Sequence, residues 1–458
     1  MRLTVASLHR VFNRDLRIEF GSESLTSYAG LEMIGRFLRR LKFARRVREA
    51  FASEALGGDY GTRRLMLVVI GLLLVGGRRL EHLQYVANDP LFGRFCGLAR
   101  IPSARTVVNW LKSFTRRSVA ALARLNSELV IDQIAALRLR RATVDLDGTV
   151  VRTGLQVAWA RRGYNPHHPK DPSYYPLLAH VAQTGQILRV KNRPGNVNDS
   201  HGAAGVIHQI VGDLRGRFGR SLLIEFRGDA AFFQAQILRL LAHLGCLYAI
   251  KVPLWRWLGI RPLIASQKIW TAIVPGIDAF ETVLPIAQWD LTERVVVYRK
   301  RVHHHTAKNF QLDLFSPDDG TFEYSAVTTN QPLSLRALWD FMSGRGAQEK
   351  TFSELKNDLA FDVIPTNHYA ANSAWQQLSI LAHDLMRALQ LDTGIAQHRR
   401  RPRKRTAVYR LLTMKTLRFL LIARAGRLAR IGGRQILRLA ANPATQQLYD
   451  RTSRALAA

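Results

Sequence analysis

The sequence predicts a mixed α/β protein: a mixed sheet flanked by helices, with a mostly β insertion, a helical and basic N-terminal region, and a basic helical C-terminal tail. Three observations lead there. Residues 141–252 run strand, hairpin, helix, strand, helix, strand, an order that builds a sheet with helices on its faces. Both ends of the chain show helical periodicity studded with arginine, whereas 253–330 turn to short strands and loops. At 458 residues and 47% hydrophobic, the chain has material for a large core and more than one domain. We divide it into a helical region (1–135), the first part of a core (141–252), a β-rich insertion (253–330), the remainder of the core (331–391) and a basic tail (392–458).

In the N-terminal region Leu31, Ile34, Leu38 and Leu41 recur at helical spacing, while Arg36, Arg39, Arg40 and Lys42 fill the other faces. Such a helix buries one side and offers arginine to phosphate. The apolar stretch from Leu65 to Gly77 is interrupted by Gly71 and closed by Arg78 and Arg79. It falls short of the roughly 20 residues a bilayer span needs, so it reads as a buried helix. Met1 to Arg14 carries charge throughout and has no apolar signal core, so a cytoplasmic location without membrane association is expected. Further on, Ser103 is set to cap a helix carrying Arg105 and Asn109, residue types that read base edges in a major groove. An ordinary amphipathic helix fits the same pattern.

Ala142 to Asp147 is a β-rich run ending in carboxylates and followed by Gly148-Thr149. Tyr175–Ala182 and Gln186–Val190 flank Thr184-Gly185 as a hairpin. Helical periodicity over 203–218 leads into a strand from Ser221 to Phe226 that ends at Arg227-Gly228-Asp229. A helix at about 232–244 precedes the strand Cys246–Val252, and Thr292–Val302 is a strand of the insertion. Helices are predicted at 334–342, 346–359 and 372–389. His398 to Arg405, basic at six of its eight positions, reads as a solvated arm.

Lys plus Arg number 67 against 34 Asp plus Glu, a formal net charge of +33. That field points to a polyanionic partner, nucleic acid first, because each neutralised phosphate releases condensed counterions. Cys96 and Cys246 sit in apolar surroundings and read as buried thiols rather than a disulfide or metal site. Consecutive His303, His304 and His305 cannot all face one ion. Trp255, Trp257, Trp270 and Trp289 are of a type that stacks on an unpaired base, although core packing is the commoner use.

Phosphodiester chemistry calls for carboxylates gathered by the fold around two hard divalent ions. Asp147 and Asp229 close two strands, and Glu349 lies on a following helix. Asp145 lies two residues from Asp147 and faces the same way, so alternation does not choose between them. Glu225, Arg227 and Asp229 likewise share a face, with Glu225 and Arg227 expected as a structural pair. Glu354 is read as a solvated surface residue.

At these residues the chain resembles the DDE transposases of bacterial insertion sequences, over roughly 141–391. Asp147-Gly148-Thr149, Gly163-Tyr164-Asn165-Pro166, Ser173 to Leu178, Arg193-Pro194-Gly195-Asn196 and Arg227-Gly228-Asp229-Ala230 all fit the family's blocks. The family's third acid lies in a signature of Tyr, two residues, Arg, three residues, Glu, six residues, Lys. Arg345, Glu349 and Lys356 match it, whereas Met342 stands at the tyrosine position beside Phe341. On a helix Arg345, Glu349, Phe352 and Lys356 share one face.

The resemblance implies an RNase H-like core, Asp147 rather than Asp145 as the first acid, and Asp147, Asp229 and Glu349 as catalytic ligands of two Mg²⁺ ions, with Mn²⁺ as a substitute. It implies Arg345 and Lys356, with Arg105 and Asn109, as DNA-binding residues. The implied partners are double-stranded DNA, as transposon ends and target, and a homodimer or higher assembly on it, nucleoid-associated in the cell. The implied reaction is cleavage at terminal inverted repeats followed by transesterification of the 3′ ends into target DNA. A non-catalytic, transposase-derived DNA-binding protein fits the charge equally, but the three intact acids argue against it. Nothing in the chain resembles an RNA module.

Overall fold

The computed structural model describes residues 18, 20–21, 23–54, 56, 58–163, 165, 168–301, 316–317, 322–399 and 408–457. The histidine run 303–305, Tyr164, Pro166 and most of the basic arm therefore lie outside the described residues, as does the segment before residue 18.

Five strands form the core of a mixed sheet: β1 (Arg141–Gly148), β2 (Leu177–Val181), β3 (Gln186–Lys191), β4 (Leu223–Gly228) and β5 (Leu247–Val252). Four more follow: β6 (Thr271–Val274), β7 (Ile277–Ile286), β8 (Leu291–Arg301) and β9 (Phe322–Thr329). Their spatial order is β3-β2-β1-β4-β5-β9-β8-β7-β6. β1 runs parallel to β4 and β4 to β5, while β2 is antiparallel to β1 and β3 to β2. The strands of 253–330 do not form a sheet of their own. β9 pairs with β5 from Ala326↔Val252 to Thr329↔Ala249 and so extends the core sheet edge to edge.

Among the helices used below, α1 is Leu31–Arg40, α2 Thr62–Val75, α3 Ala104–Lys112, α4 Arg116–Ala136, α5 Ala203–Phe218, α6 Ala235–His243, α7 Leu335–Ser343, α8 Gly346–Leu359, α9 Tyr369–Asp392 and α10 Pro443–Ala457. Strand alternation separates the two faces of β1 and β4. Ala142, Val144, Leu146, Ile224 and Phe226 join the apolar cluster with α5 and α6. Thr143, Asp145, Glu225 and Arg227 point to the opposite face and are buried there as polar groups.

α9 is buried along nearly its whole length. It packs on β3 on one side and on α2, α3 and α4 on another, so N-terminal helices and sheet share one hydrophobic cluster. This explains the character of α2, which buries every residue from Leu65 to Leu74 inside that cluster. No helix among the described residues is long and apolar enough to cross a membrane. Cys96 and Cys246 are buried free thiols, and burial pushes both up, Cys246 to about 11.

The tail, expected to be helical, also contains a hairpin of β10 (Gly426–Ile431) and β11 (Arg434–Leu439), to which Leu25–Thr26 adds a third strand. It folds back onto the N-terminal helices. Arg418 donates to the carbonyls of Leu73 and Leu74 at the end of α2, and the Tyr449 hydroxyl of α10 donates to Leu421. These are long-range contacts that local periodicity does not register.

Candidate active site

The polar ladder between β1 and β4 ends in the site. In register, Thr143 faces Glu225 and Asp145 faces Arg227. Glu225 is held by Arg141 (2.5 Å) and by the Thr143 hydroxyl (2.7 Å). Arg227 forks onto Asp145 at 2.5 and 2.8 Å, and its remaining nitrogen donates to the Phe341 carbonyl. His180 approaches the same carboxylate at 3.2 Å. Asp145 is thus the buried end of an ion pair. Burial alone would raise its carboxyl, but the charge of Arg227 and the hydrogen bonds from His180 and Arg227 outweigh it and leave the group below the usual range. Met342 is buried with Phe341 and Leu338 in a small apolar cluster.

Just beyond the last paired residues of the ladder, Asp147 and Asp229 come together. A third carboxylate, Asp199, joins from the loop before α5. Ligand oxygens of Asp147, Asp199 and Asp229 all lie within 4.8 Å of one another. Burial pushes the Asp147 carboxyl up to about 7, with Asp229 and Asp199 adding to the rise and Arg345, 3.4 Å away, opposing it. Asp199 is raised by burial and by Asp229. Three acids so placed repel one another unless a cation joins them.

The surroundings prepare Asp199 for that role. Buried Arg193 donates to the carbonyls of Asn198, Asp199 and His201 at 3.1, 2.9 and 2.7 Å, which fixes the loop. The Tyr175 hydroxyl donates to Asp199 Oδ2 at 2.8 Å, while Asp199 Oδ1 is buried with no hydrogen-bond partner. A Cβ at Gly148 would lie 2.1 Å from that oxygen and 2.6 Å from the Tyr175 ring, so only glycine after Asp147 lets Asp199 in. Asp229 Oδ1 accepts from the Ala231 amide and caps the short turn that follows. Convergent hard oxygens, one of them buried without a hydrogen bond and with only the Arg193 guanidinium 3.9 Å away, fit a hard divalent ion.

Of the residues singled out from sequence, Asp147 and Asp229 meet here and Arg345 stands beside Asp147. Lys356 donates to the Val150 carbonyl at 2.9 Å, just past the end of β1, and burial lowers its ammonium. Arg345 and Lys356 thus turn one face of α8 toward the end of β1. Glu349 belongs to that face but is exposed and outside the three-aspartate cluster. Glu354, expected at the surface, is instead mostly buried and paired with Arg387 at 2.8 Å. Ser103 caps α3 by accepting from the Thr106 amide, and Arg105 and Asn109 are exposed on the side of α3 away from buried Val107, Trp110 and Leu111.

Asp199 escaped sequence reading because it lies in a polar loop without periodicity. The signal nearest to it was the Arg193-Pro194-Gly195-Asn196 block, whose arginine holds the loop. Among the tryptophans, Trp270 packs edge-on against Phe280 under the Arg299 guanidinium. Trp255 and Trp257 stack on each other at 5.7 Å, half-exposed, with Trp289 and Phe233 beside them.

The sequence profile of the family described as transposase DDE domain group 1 matches residues 8–458. The chain belongs to the DDE transposase family. Among solved structures, a cryo-EM structure of piggyBac transposase in a synaptic complex with hairpin DNA is similar at 11% identity and a TM-score of 0.44, covering 93% of this chain and 85% of that one. A search of curated proteins gave no match.

Proposed function

We propose that this family member is an active, metal-dependent DNA transposase that cleaves the terminal inverted repeats of its element and joins the 3′ ends to target DNA by transesterification. The observation that carries the reading is the convergence of Asp147, Asp199 and Asp229 at the open end of the sheet, beside Arg345. Divalent ions held there would activate water and stabilise the attacking and leaving oxygens. Asp147 and Asp229 would hold them, with Asp199 supplying a further oxygen. Glu349, one helical turn beyond Arg345, would be the acid to join them on binding DNA. Arg345 and Lys356 keep positive charge at the site for the scissile phosphate, and Arg105 and Asn109 read the duplex from α3. Two chains would pair two ends, one active site to each.

The test uses DNA flanking the reading frame, where matched inverted repeats identify the ends. Purified protein with Mg²⁺ is expected to nick a plasmid carrying both repeats. Asp229→Asn is expected to lose at least a thousandfold of that activity while still binding the repeats. Retained cleavage by Asp229→Asn, or cleavage that persists in chelator, would sink the reading.

A further inference from the structure

From Thr393 to Tyr449 the chain contains no Asp or Glu, while arginine recurs throughout. Four of those arginines lie on the β10–β11 hairpin, Arg427, Arg430, Arg434 and Arg438, and its register is explicit. Arg427 lies directly opposite Arg438, Ala429 opposite Ile436 and Ile431 opposite Arg434, all on one face. On the other face Leu428 and Leu437 pack against the helical core. The first face is the outer one: Arg427, Arg434 and Arg438 are exposed, and Ile431 and Ile436 are 43% and 39% exposed. None of the three arginines has an ion-pair partner among the described residues.

Like charges directly opposed across two strands destabilise a hairpin, and apolar side chains left in water add nothing to its stability. This ribbon nevertheless has a well-formed tip. Gly432 and Gly433 both take positive φ, 56° and 76°, the two-residue turn that matches strand twist. The ribbon is tied down at both ends, with Leu25–Thr26 alongside β10 at the base and Gln435, near the tip, accepting a hydrogen bond from Arg94. A two-stranded ribbon held on the core by one face, with a cationic outer face, offers that face to the major groove of duplex DNA, which admits two-stranded β elements between its phosphate rows.

We infer that the outer face of the β10–β11 ribbon docks on double-stranded DNA, with Arg427, Arg434 and Arg438 on phosphates and Ile431 and Ile436 against the groove floor. The inference rests on the DNA reading above and adds an element of recognition that the α3 helix does not supply. Each phosphate contact contributes about 0.9 to the slope of log affinity against log salt concentration.

The full-length chain is titrated with a fluorescent random-sequence 30-bp duplex at several salt concentrations. The combined variant Arg427→Ala, Arg434→Ala, Arg438→Ala is expected to bind at least tenfold more weakly at moderate salt, with a slope reduced by about 2 to 3. The corresponding triple Arg→Lys variant is expected to keep the wild-type slope. Unchanged Mn²⁺ binding shows that the alanine variant is folded, since the ribbon holds none of the three aspartates. Wild-type affinity and slope in the alanine variant overturn the inference. So does an unchanged duplex affinity accompanied by loss of binding to single-stranded RNA or to phosphatidylserine vesicles. The repeat-cleavage assay with Asp229→Asn fails or succeeds independently, because that substitution leaves the ribbon intact.

Discussion

Asp145 and Asp147 sit two residues apart on one strand and face the same way, yet they belong to different kinds of site. Asp145 is fully buried, and an arginine fork and a histidine surround its carboxylate. Asp147, at the strand's end, meets two more carboxylates and a single arginine across 3.4 Å. The difference is what comes up beside each: Arg227, its register partner on β4, for Asp145, and Asp229, just past the end of β4, for Asp147. A buried carboxylate with its counter-charge locks two strands together. One that faces further acids at an open edge is held in readiness for a cation. The comparison shows how a sheet turns the same residue type from structural to chemical over about 7 Å of strand.

The largest effect is expected from breaking the inner site. Asp145→Asn leaves the buried Arg227 uncompensated and should cost about 3–5 kcal/mol, read from the midpoint of denaturant unfolding. The same residue governs acid stability. Its folded carboxyl titrates below the unfolded value of about 3.9, so its contribution is complete above that pH and is lost as pH falls through the folded value. The variant should therefore show a flatter stability profile below about pH 4, and an unaltered profile would show that Arg227 finds its charge elsewhere.

At the outer site Gly148→Ala should cost less stability, about 1–3 kcal/mol, but spoil the cluster. The added methyl would meet Asp199 Oδ1 and the Tyr175 ring. Mn²⁺ affinity, measured by titration calorimetry, should fall about thirtyfold or more, within the range found when the support of a ligand is disturbed. Wild-type affinity would mean that Asp199 is not a ligand. A smaller loss, about threefold to tenfold, is expected for Tyr175→Phe, which removes one hydrogen bond to Asp199 and leaves the carboxylate in place. A larger loss than that of Gly148→Ala would invert the order of support proposed for the loop.

The sequence by itself determined the alternating strands, the helices from α5 to α9, the two strand-end acids and the Arg345–Glu349–Lys356 face. Those features are written in local periodicity, turn chemistry and spacing, which survive without knowledge of neighbours. Alternation gives Asp145 and Asp147 the same direction, and only the resemblance favoured Asp147; the tertiary structure added the physical distinction, an arginine partner for the first and further acids for the second. It also brought in Asp199, a loop residue held by the distant Arg193, paired Glu354 with Arg387, and turned part of a basic tail into a ribbon against the N-terminal helices. In each case the deciding interaction joins residues far apart in the chain, and its free energy exists only once the fold has closed the distance.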